Sequence, residues 1–62
     1  MEVGDLVKGK DNKRAQRSGY AGRLAIVEEV NGLTGKYFYP KWVDGKQDTY
    51  RFEYPERDFA RV

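Results

Sequence analysis

Residues 36–45 read KYFYPKWVDG. Side chains alternate sides along a strand, so Phe38, Pro40 and Trp42 share one face and Tyr37, Tyr39 and Lys41 the other. The Asp44-Gly45 pair that follows is a strong signal for a tight hairpin, because both central residues of such a turn take positive φ. The pattern predicts a strand over 36–43 and a hairpin at 43–46. Pro40 has no N–H to donate, which predicts an edge position or a bulge.

The same period continues on both sides. RLAIVEEV (23–30) reads as the most apolar strand, with Leu24 and Ile26 on one face and Ala25 and Val27 on the other. NGLTG (31–35) reads as a turn. DTYRFEY (48–54) is the expected return strand, with Tyr50, Phe52 and Tyr54 on one face and opposite the Phe38–Trp42 face, which is read as core. PERD (55–58) suits one 3-10 turn, because Pro fits a first helical position and acids favour the start. FARV (59–62) closes as a short strand. At the other end VGDLVKG (3–9) is a first strand with Val3, Asp5 and Val7 on one face. The stretch between, KDNKRAQRSGYAG (10–22), has no apolar period and reads as a long polar loop. Together these predict an all-β fold: one small five-stranded barrel over residues 1–62, with a long first loop and a 3-10 turn before the last strand.

Sixty-two residues bury only about 60% of the surface their unfolded chain exposes, so stability is marginal. The chain has no Cys and no His. Disulfides, thiolate metal clusters and the usual zinc ligands and proton shuttle are therefore excluded, and the expectation is no cofactor and no metal. No apolar run approaches the roughly 20 residues of a membrane span, and MEVGDLVKG does not read as a signal peptide. The expected setting is the cytoplasm, with no membrane partner.

Catalysis is not expected. Ser18, Thr34 and Thr49 have no histidine to activate them. Glu28 and Glu29 are adjacent on a strand and point to opposite faces, so they do not form a carboxylate pair. Glu53, Glu56 and Asp58, mixed with Arg51, Arg57 and Arg61, read as a solvated ion-pair network. So small a chain does not easily enclose a pocket for a small-molecule substrate.

The pattern VGDLVKG … GYAGRLAIVEEV … YPKWVDG … DFARV resembles the superfamily of small SH3-like barrels, including KOW, Tudor and Mib-type domains. It also resembles short phage-encoded proteins that begin VGDLV and carry a W-x-D-G hairpin. The resemblance covers nearly the whole chain. It implies a binding module, with Gly19 and Gly22 matching the glycine pair that precedes a strand in KOW domains. One SH3-like family, the small plasmid-encoded dihydrofolate reductase, is an enzyme and carries a Val-Gln-Ile-Tyr run near the last strands; TYRFEY stands there in this chain.

Charge is balanced in sum, 12 basic against 10 acidic residues, but not in placement. Lys10, Lys13, Arg14, Arg17 and Arg23 crowd the first loop, and flexible cations can neutralise phosphates without fixed geometry. Tyr20 among them could stack on a base, and Tyr37 and Tyr39 form an outward aromatic pair suited to a base, a proline-rich peptide or a methylated lysine. The competing readings are a loop charged for solubility and tyrosines packed on the second face. The expected function is nucleic-acid binding through residues 10–23 and the exposed tyrosines. The alternative is protein–protein interaction, with a host protein as partner for a phage-encoded chain, through the same loop and aromatic face.

Overall fold

The computed structural model describes residues 1–33 and 36–62. Five strands, β1 (Leu6–Gly9), β2 (Leu24–Val30), β3 (Tyr37–Trp42), β4 (Tyr54–Pro55) and β5 (Phe59–Arg61), form one antiparallel sheet. Its order is β4-β3-β2-β1-β5. The 3-10 turn Glu56–Asp58 leads into β5 as expected. No described helix is long and apolar enough to cross a membrane.

The registers place Ala25 beside Trp42 and Val7 beside Ala25. Ala25, Val27, Phe38, Trp42 and Val7 all face inward and are buried. The expected bulge lies between Val27 and Glu29, opposite Pro40 and Tyr39. Val27 turns both backbone groups away from β3, donating to the Asp5 carbonyl at 2.9 Å and accepting from the Gly4 amide at 2.8 Å. Pro40 therefore sits opposite it without breaking a ladder bond. The extra residue, Glu28, shifts the phase of β2, so Glu28 and Glu29 are both exposed and not split between inside and outside.

Several expectations are corrected. Residues 3–5 form a turn ahead of β1, with Gly4 at φ 93 and Val3 exposed. The 43–46 turn uses positive φ at Gly45 alone; no described non-glycine residue adopts it. The return strand over 48–54 is not formed until Tyr54. Its place beside the end of β3 is taken by a side chain: the Gln47 amide accepts from the Trp42 N–H at 3.0 Å and donates to the Trp42 carbonyl at 2.8 Å. One glutamine thus supplies both bonds a paired strand would make. Asp48 then accepts from the Trp42 indole N–H at 3.1 Å and the Tyr54 hydroxyl at 3.0 Å. Tyr50 and Phe52 are left outside the core, mostly exposed.

The long loop is also not structureless. Lys13–Ser18 form a helix, α1. Asn12 caps it, its side-chain oxygen accepting from the Ala15 N–H at 2.8 Å, and Gly19 ends it at φ 85. Ala15 is the one buried residue of the helix. An Asn cap followed by a Gly stop is a legible helix signal, but a single apolar residue carries no periodicity.

Phe59 sits at the middle of the core. Its ring stacks on Tyr20 at 5.2 Å, meets Phe38 edge-on at 4.9 Å, and lies near Trp42 and Tyr54. Gly9 lets the α1 connection close against β1: a Cβ there would lie 1.9 Å from the Tyr20 carbonyl oxygen. Backbone, not a movable side chain, opposes it, so Gly9→Ala is expected to lower stability by about 1–3 kcal/mol, read as a lower urea midpoint.

Candidate functional site

α1 is held to the sheet by a buried carboxylate. Asp58, at the end of the 3-10 turn, is 2% exposed. It accepts from the Tyr20 hydroxyl at 2.6 Å and from the Asn12 side-chain amide at 3.3 Å. Its backbone carbonyl accepts from the Lys10 N–H at 2.8 Å, and Arg14 Nε lies 3.7 Å from its carboxylate. Burial pushes the Asp58 pKa up, but the Tyr20 bond, the Arg14 charge, the Asn12 bond and the Arg57 charge outweigh it and hold the carboxyl below its ordinary value. Burial and the same bond push the Tyr20 hydroxyl up to about 12. Tyr54 is also raised to about 12, by burial and its bond to Asp48.

Tyr20 is thus corrected from a stacking residue to a core residue. Arg23 is corrected too: it makes two bonds to Asp44 at 3.0 and 3.1 Å and one to the Lys46 carbonyl at 2.9 Å, and its guanidinium lies 3.9 Å over the Trp42 ring. It fastens β2 to the 43–46 turn. Asp58 is no member of a solvated network; Glu56 pairs with the Met1 amine, Arg61 with Asp5 and Arg51 with Glu29.

The remaining cations are grouped. Lys13, Arg14 and Arg17 are exposed and fall within about 100° of the helix circumference, away from Ala15. Lys10 is exposed just ahead of the helix.

The two outward tyrosines are separated. Tyr39 lines a cleft of about 250 Å³ with Tyr50 and Phe52, and the Arg51 guanidinium covers its ring at 3.9 Å. Tyr37, 41% exposed, lines a larger cleft of about 590 Å³ between β3, the 3-10 turn and β5. No cluster of His, Cys, Asp or Glu able to hold a metal occurs among the described residues. Comparison with protein-family models, curated proteins and solved structures finds no match.

Proposed function

We propose that the protein is a non-catalytic module, of the small SH3-like barrel type, that binds nucleic acid through the cations of α1. The observation that carries this reading is the charge placement on that helix. Lys13 and Arg14 occupy the first turn, which contains no acid. The positive end of the helix dipole disfavours cations there. Lys13 and Arg17 are also like charges four residues apart, which is unfavourable on a helix. Asp58 offsets the cost for Arg14; Lys13 is in no ion pair among the described residues. Solubility gains nothing from placing cations at the disfavoured end, whereas a phosphate contact surface gains from grouping them there.

The test is anisotropy of a labelled oligonucleotide at about 50 and about 200 mM salt. Three phosphate contacts predict roughly a 20- to 40-fold loss of affinity across that range. Lys13→Glu is expected to weaken binding while raising stability by about 0.5 kcal/mol, since it suits the dipole and pairs with Arg17. Weakened binding with unchanged or raised stability separates function from folding. Binding that ignores salt and this substitution refutes the reading.

A second reading rests on a different observation. Tyr50 and Phe52 are 73% and 52% exposed, with rings 6.3 Å apart. Exposed aromatics beside a cleft suit a protein segment as partner, and Tyr50→Ser with Phe52→Ser tests it by abolishing capture of that partner while leaving oligonucleotide binding intact.

A further inference from the structure

The cleft that contains Tyr37 is bounded by the 3-10 turn, whose last residue, Asp58, contacts Arg14 of α1. Tyr37 and Pro55 are cross-strand neighbours and form one apolar wall. Phe59 and Val7 contribute to the lining, and Arg57 and Arg61 stand among the lining residues. The cleft's carboxylate, Glu56, is taken by the Met1 amine at 3.1 Å. Arg61 is held by Asp5 but stays largely exposed, and Arg57 is exposed with no ion pair among the described residues. The cleft thus offers an incoming group an aromatic wall and net positive charge. Its volume, about 590 Å³, suits a single nucleotide-sized ligand. The 3-10 turn therefore links the cleft to the helix: Arg57 lines the cleft, and the next residue, Asp58, pairs with Arg14.

We infer that this cleft receives an unpaired nucleobase stacked on Tyr37, with the strand's phosphates running past Arg57 to Arg14, Lys13 and Arg17. The inference rests on the nucleic-acid reading above and narrows it to single strands. A base in a duplex is already paired and stacked and does not enter a cleft, whereas an unpaired base has a free face for an aromatic ring. The wall is apolar and the charge is basic, so an acidic peptide would satisfy the charge and leave the ring without a planar partner.

The experiment compares a labelled oligothymidine of about ten nucleotides with a duplex of the same length. The proteins are wild type, Tyr37→Leu, Tyr37→Phe and Lys13→Glu with Arg17→Glu, with Trp42 fluorescence as the check on folding. Wild type is expected to favour the single strand by about tenfold or more. Tyr37→Leu is expected to lose roughly tenfold to a hundredfold on the single strand and little on the duplex, without altering the salt slope, and Tyr37→Phe to retain wild-type affinity. Amide resonances of Tyr37 and Arg57 are expected to shift on titration with the oligothymidine. Equal affinity for single strand and duplex overturns the inference. So does a neutral Tyr37→Leu, or polyglutamate binding as tightly as the oligonucleotide. In the first two cases the helix reading survives if the Lys13/Arg17 reversal still weakens binding; if that reversal has no effect, the parent reading fails instead.

Discussion

Phe59→Ala is expected to remove about 3–5 kcal/mol, a large share of the protein's stability. The substitution removes a ring that is 4% exposed and touches four other aromatic side chains, Tyr20, Phe38, Trp42 and Tyr54. Phe→Ala in a core costs about 3–5 kcal/mol, through lost transfer energy and the cavity left behind. A chain of this length has about 3–9 kcal/mol in total, at 0.05–0.15 kcal/mol per residue. The core cannot close the gap cheaply. The ring holds together the side chain that anchors the α1 connection, Tyr20, and the two from β3, Phe38 and Trp42. Urea unfolding followed by Trp42 fluorescence gives the number. A loss below about 1.5 kcal/mol would mean that the neighbouring rings collapse onto the vacancy and that Phe59 is not the centre of the core.

The second large effect is at Asp58. Replacing it with alanine removes the acceptor for the Tyr20 hydroxyl and for the Asn12 amide. It also removes the countercharge of Arg14. A hydrogen bond to a charged group is worth about 1.5–3 kcal/mol, and a buried hydroxyl left unpaired adds its own cost, so a loss of about 3 kcal/mol is expected. Arg14 is half exposed and its share is small. Because Asn12 also caps α1, the loss is expected to reach the helix. Amide exchange over residues 13–18 should speed up more than exchange in β2. If the two accelerate equally, the carboxylate supports the whole fold and does not specifically hold the helix.

The same residue sets an acid limit. The Asp58 pKa is lowered in the folded state, so its stabilisation is fully present above the unfolded carboxylate value, about 3.9, and is lost as pH falls below that value through the folded pKa. Asp5 and Asp44 are lowered in the same direction, Asp5 first by the Glu2 backbone bond and Asp44 first by Arg23; Asp44 is exposed and Asp5 half-buried. Asp58→Ala should therefore flatten the stability profile below about pH 4 without abolishing the acid response.

What the sequence determined by itself is the strand framework. Alternation in 36–43 placed Phe38 and Trp42 inside, Pro40 called for the bulge found at Glu28, and Pro55 with its following acids marked the 3-10 turn. These are local effects, written in the side-chain period and in backbone donors that are present or missing. Tertiary structure decided the rest. Whether 48–54 would pair as a strand depended on Gln47 taking the Trp42 backbone bonds first. Whether Asp58 and Tyr20 were surface groups depended on each finding the other 38 residues away. Arg23 left the set of free cations because Asp44 and the Trp42 ring lay across the sheet from it. A charged or hydroxyl side chain reads as exposed until its partner is known, because burial becomes affordable only when that partner satisfies it. The cations that remain together, Lys13, Arg14 and Arg17, do so because six residues between an Asn cap and a Gly stop wound into a helix around one buried alanine.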